Sequence, residues 1–119
     1  MMLPVSAPFH SPLMKPAARE MEDALADTTL VPPRVPIISN VTVDPTSDPA
    51  TIKRLLVEQV TARVRWRETI ASLRDRGITS VVEAGAGKVL TGMAKRIDKE
   101  MQAVSIETPQ EIEAFMKTL

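Results

Sequence analysis

Apolar residues recur along this chain in two rhythms. Met14, Ala17, Ala18, Met21 and Leu25 fall at steps of three and four, the spacing that gathers side chains on one helix face. Lys15, Arg19, Glu22 and Asp23 lie elsewhere and can stay wet. The same rhythm returns in Ile52, Leu55, Leu56 and Val60, and in Ile70 and Leu73 of a segment from about Trp66 to Arg76. It returns again in Val89, Leu90, Met93, Ala94 and Ile97, and in Ile112, Phe115, Met116 and Leu119. Local signals bound these helices. Ser11 precedes Pro12, Asp48 precedes Pro49, and Thr108 precedes Pro109 with Glu111 three residues on, a capping box. Gly77 is placed to end the third helix in a left-handed turn, with Ile78 as the apolar residue beyond it. The second rhythm is short and rich in β-branched residues: Leu3–Ser6, Val35–Ser39, Thr79–Ala84 and Ala103–Ile106. Pro32, Pro33 and the polar stretch Asp44–Ser47 read as loops.

The predicted order is β-α-β-α-α-β-α-β-α. Right-handed crossovers would make all four strands parallel, so the expected class is α/β, a partial parallel sheet with flanking helices. Four short strands are few for a doubly wound domain.

Composition narrows the function. Fifteen basic and fifteen acidic residues cancel, which excludes the basic excess of a nucleic-acid or acidic-membrane binder. With no cysteine there is neither disulfide framework nor thiolate chemistry, and one histidine without cysteine makes no zinc site, so no metal is expected. No apolar stretch approaches the roughly 20 residues of a membrane helix. The start, Met1-Met2-Leu3-Pro4, has no secretory character. The expected compartment is the cytoplasm.

The chemistry-bearing residues are few. His10, the single histidine, sits between a strand and a helix N-terminus, and open parallel sheets bind ligands outside the carboxyl ends of their strands. It reads either as a general base or as a histidine packed in a turn. Gln59 shares the apolar face of Leu55 and Leu56. Either that helix end orients a catalytic group or the amide reaches out to water. Gly85-Ala86-Gly87-Lys88 between strand and helix invites a phosphate-loop reading. It fails the tests: a Walker loop needs glycine where Val82 stands and Ser or Thr where Val89 stands, and a dinucleotide fingerprint needs glycine or alanine at Leu90. No glycine pair brackets a serine as G-x-S-x-G. Ser11 beside His10 reads as a helix cap, and Trp66 as a core residue.

Leu3-Pro4-Val5-Ser6-Ala7-Pro8-Phe9-His10-Ser11-Pro12-Leu13-Met14 resembles the histidine motif of malonyl-CoA:acyl-carrier-protein transacylases. Three further blocks agree in order and spacing: Val35–Val41, Gln59-Val60 leading to Val64-Arg65-Trp66, and Glu83–Gly92. The resemblance covers essentially the whole chain, with Ala86 standing where the family usually has proline. It implies that residues 1–119 are the C-terminal segment of an acyltransferase domain. The nucleophile half, with its G-H-S-x-G-type serine elbow, and the ferredoxin-like subdomain would lie outside them. It implies ping-pong transfer of malonyl from malonyl-CoA, through a serine ester, to the phosphopantetheine thiol of acyl carrier protein, with no cofactor. His10 matches the base. Gln59 matches the residue whose backbone carbonyl orients the imidazole, where a triad acid would stand. Phe9 matches the residue beside the base that goes with malonyl over branched units, and Gly85, Gly87, Lys88 and Val89 look like the substrate-pocket rim.

The partners implied are malonyl-CoA, acyl carrier protein and the absent N-terminal half. The alternative is a module that binds acyl carrier protein or CoA without turnover. A segment parted from its domain should expose apolar surface, so self-association or marginal stability is expected.

Overall fold

The computed structural model describes residues 7–118. It divides into two compact units, Met1–Thr69 and Ile70–Leu119, with the boundary inside a helix. The predicted strand Leu3–Ser6 and the helix-face residue Leu119 lie outside the described residues.

In the first unit a 3-10 turn, Pro12–Met14, leads into α1, Lys15–Ala26. Ser11 caps that turn, accepting the N–H of Leu13 at 3.3 Å. β1, Ile37–Ile38, and β2, Pro45–Thr46, are followed by α2, Pro49–Thr61. Asp48 caps α2 through its carboxylate, which takes the Thr51 N–H at 2.8 Å. α1 packs on α2, and Ile52 and Leu55 are buried as their spacing predicts.

The run around Ile37 does not join a parallel sheet, contrary to expectation. It pairs antiparallel with β2, Ile37 opposite Thr46 and Ile38 opposite Pro45. Pro45 in a polar stretch reads as loop, yet a two-residue edge ladder tolerates a residue without an N–H. Segment 39–44 makes the reversal. Val43 sits at φ 66°, and its N–H reaches the Ser39 carbonyl at 2.8 Å. The Arg65 guanidinium donates to the carbonyls of Val41 and Thr42, both at 3.3 Å, and the Arg65 N–H donates to that of Asn40 at 3.0 Å. Arg65 also pairs with Glu68.

α3, Trp66–Asp75, crosses the boundary and ends in the second unit as Gly77 predicts. Gly77, at φ 75°, donates to the Arg74 carbonyl at 2.9 Å, and Ile78 donates to that of Leu73 at 3.0 Å. These are the two bonds of a Schellman motif.

β3, Ser80–Ala84, pairs parallel with β4, Gln102–Ile106, in the register Val82 opposite Val104. The strands are joined through α4, Val89–Ile97, as a parallel connection requires. α4 packs against both strands and α5, Pro109–Met116, against β4. Ala94, Met101 and Ala103 are buried. The other side of the ladder stays open: Val82, Val104 and Ile106 line a groove of about 570 Å³ with Ala114 and Phe115. Among the described residues only β3 and β4 are parallel, which makes the sheet partial, as expected, and smaller than four strands.

Candidate active site

α2 stops at Thr61, and Ala62 donates the last helical bond, to Glu58, at 3.0 Å. The carbonyl of Gln59 is therefore among the last four of the helix, which lack a donor from their own ladder. His10 Nδ1 lies 2.9 Å from it. A carbonyl oxygen only accepts, so Nδ1 carries the proton and the lone pair of the neutral ring sits on Nε2. Gln59 lines a small apolar pocket with Ile52, Leu55 and Leu56, and it is its backbone carbonyl that meets the ring.

His10 is exposed, and its backbone has φ 56°, in the left-handed region that L residues seldom occupy. Phe9, next to it, is 57% exposed. Ser11 commits its hydroxyl to the loop, donating to the Pro8 carbonyl at 2.7 Å while accepting from Leu13. It is a cap, as its position before Pro12 predicts.

The remaining rim candidates, Gly85, Gly87, Lys88 and Val89, belong to the second unit. Gly85 and Gly87 have φ of 133° and 91°, conformations open to glycine and strained for other residues. Lys88 and Val89 are exposed where α4 begins. The exposed N–H groups of this helix start would suit an anion, but the chain supplies its own. The Glu83 carboxylate, at the end of β3, accepts the N–H of Leu90 at 3.1 Å and of Thr91 at 2.7 Å. The Thr91 N–H above all, and with it the Leu90 N–H, hold the Glu83 carboxyl below its ordinary range. Occupation of these donors gives a structural reason why the glycine turn is no phosphate loop. Sequence reading passed over Glu83. The available signal was a carboxylate one residue before the Ala84-Gly85 turn, within reach of the helix start that follows.

Malonyl CoA-acyl carrier protein transacylase of Bacillus subtilis is 40% identical over 117 residues, 98% of this chain and 37% of the relative. That of Salmonella typhimurium is 39% identical over 96% of this chain and 37% of its own length. The crystal structure of acyl-carrier-protein S-malonyltransferase from Bartonella henselae superposes with a TM-score of 0.88 at 53% identity, over 98% of this chain and 37% of that one. This chain belongs to the malonyl-CoA:acyl-carrier-protein transacylase family. It matches the C-terminal portion of the transacylases and spans 37% of the length of the two curated relatives named. A malonyl-transacylase solved in complex with a type II polyketide acyl-carrier protein superposes with a TM-score of 0.83 at 35% identity, over 97% of this chain and 38% of that one. No family model matches the sequence. Among the described residues, no helix is long and apolar enough to cross a membrane.

Proposed function

We propose that this chain is the C-terminal part of a malonyl-CoA:acyl-carrier-protein S-malonyltransferase of fatty acid biosynthesis, working in the cytoplasm, and that His10 is its general base. The observation that carries the reading is the 2.9 Å contact between His10 Nδ1 and the Gln59 carbonyl. It directs the imidazole lone pair to Nε2, where a nucleophile's proton can be taken. In the proposed cycle a serine outside these 119 residues gives its proton to Nε2 as its oxygen attacks the malonyl thioester carbonyl. The tetrahedral intermediate collapses, and the CoA sulfur leaves with that proton. The phosphopantetheine thiol of acyl carrier protein then gives its proton to Nε2 and attacks the serine ester. Collapse returns the proton to the serine oxygen and leaves malonyl on the carrier. The transfer balances without a cofactor or metal.

Gln59 does here what a carboxylate does in a Ser-His-Asp triad, holding the tautomer without a full charge. Its carbonyl lies at the negative end of α2, where positive charge grows on the ring during proton transfer. Phe9, beside the base, narrows the pocket against an α-methyl group. In the second unit, Gly85, Gly87, Lys88 and Val89 match the family's pocket-rim block, their glycines suited to let backbone approach an acyl chain.

Two measurements test the proposal. The chain alone, incubated with malonyl-CoA, is expected to show no covalent adduct by intact-mass spectrometry, and a stoichiometric malonyl adduct would sink the assignment of the nucleophile to another segment. Grafted in place of the matching part of the Bacillus subtilis relative, the chain is expected to support malonyl transfer. His10→Ala in that graft should lower kcat by about 10²–10⁴-fold, and unchanged turnover would remove His10 from the mechanism. Saturable binding of acyl carrier protein by a graft without turnover would favour a binding module instead.

A further inference from the structure

His10 and Val43 are the two non-glycine residues with positive φ among the described residues. A left-handed L residue needs its surroundings to hold it there, and the loop around His10 supplies a specific hold. Pro12 confines the residue before it to extended backbone, and Ser11 obeys with φ −136° and ψ 164°. From that conformation the hydroxyl reaches in both directions along the chain. Oγ accepts the Leu13 N–H at 3.3 Å, which is ordinary helix capping. Its own proton goes back across His10 and Phe9 to the Pro8 carbonyl at 2.7 Å. The Ser11 carbonyl takes the Met14 N–H at 3.0 Å. The backbone is thus tied on both sides of His10 through one side chain.

We propose that Ser11 is the positioning residue for His10, its hydroxyl holding the Pro8–Leu13 loop in the shape that delivers Nδ1 to the Gln59 carbonyl. The proposal deepens the reading of His10 as the base and rests on it. Capping of the short turn needs only an acceptor, which several side chains provide. The donated bond to Pro8 is the additional element, because it closes the loop over the histidine. Without it His10 relaxes toward negative φ, Nδ1 leaves the carbonyl, and the proton redistributes to Nε2. That tautomer has no lone pair facing the nucleophile.

The test uses the fact that His10 is the single histidine of the chain, so one imidazole appears in a ¹⁵N-histidine NMR spectrum of the full 119-residue protein. The wild type is expected to show the neutral ring protonated at Nδ1, and Ser11→Thr to keep that pattern because it retains donor and acceptor. Ser11→Ala is expected to gain the Nε2-protonated form at the expense of the Nδ1-protonated one. In the graft it should lower kcat by about ten- to a hundredfold with KM for malonyl-CoA unchanged. A folded Ser11→Ala that keeps the wild-type tautomer overturns the proposal while leaving the His10–Gln59 reading intact. A wild type without the Nδ1 proton overturns that reading and the proposal with it. Should circular dichroism show Ser11→Ala unfolded, Ser11→Cys replaces it: its thiol is a poor donor of similar size, a mixed tautomer is expected, and an unchanged one counts against Ser11.

Discussion

His10 meets the Gln59 carbonyl because α2 stops at Thr61. One more turn of helix would give that carbonyl its ordinary donor and leave the ring without a partner. Side chains do the corresponding work at helix starts. Asp48 is held below its ordinary value of 3.8 by the hydroxyl and N–H of Thr51. Glu83 is held below 4.5 by Thr91 and Leu90, and Glu111 below 4.5 by the N–H groups of Glu107 and Thr108. A carboxyl whose folded pKa is lowered adds stability above its unfolded value and loses it as pH falls through the folded one. Thermal unfolding followed from neutral pH downward should therefore show a melting temperature that begins to drop near pH 4.5 and keeps falling below it. Glu83→Gln should flatten part of that drop, and a profile identical to wild type would deny Glu83 its place at α4. Arg74, which bridges Asp98 at 2.9 Å and Glu100 at 2.7 Å, is exposed and should matter little to stability.

Element ends were the most legible part of the chain. Ser11, Asp48 and Thr108 all cap where their spacing to Pro12, Pro49 and Pro109 places them. Caps depend on neighbours within four residues, so local sequence suffices to find them. Gly77 makes the same point at a helix end. Gly77→Ala would place a Cβ at φ 75°, at a cost of about 1–2 kcal/mol, and chemical denaturation should show that loss with little change in helix content. Thr108→Ala removes one half of the capping box and should cost about 1 kcal/mol. A loss below the error of the fit would show that α5 is held by packing alone. The strand around Ile37 failed for the converse reason. Its partner is Pro45–Thr46, polar and proline-bearing, and the Val43 turn and the distant Arg65 guanidinium hold the reversal that brings the two together.

At the level of the whole chain, several residues on predicted apolar faces are not covered. Val89 is 70% exposed, Met116 61% and Ile112 46%, and the groove beside β4 is open. Relatives that match over 37% of their length have more chain to lay over such faces. Sedimentation of the isolated protein should show concentration-dependent self-association, suppressed by charged substitutions such as Val104→Glu and Met116→Lys. A monodisperse, cooperatively unfolding monomer would show instead that two small units with open faces are self-sufficient.

Helix faces, caps, the glycine stop and the α/β class follow from the order of residues alone, because each rests on spacing within a turn or two. The histidine's candidacy followed as well, first from its place before a helix and then from the surrounding motif. Three things needed the folded chain. The antiparallel pairing of Ile37 is a contact between segments that carry no mutual signal. Glu83 at the start of α4 is a carboxylate whose partners are backbone groups seven and eight residues away. The resemblance named the Gln59 carbonyl as the partner of His10, but no local pattern could: it lies 49 positions along the chain, and every residue has a carbonyl. Which one is left without a donor beside the ring depends on where a helix ends and what packs there, and tertiary structure alone decides that.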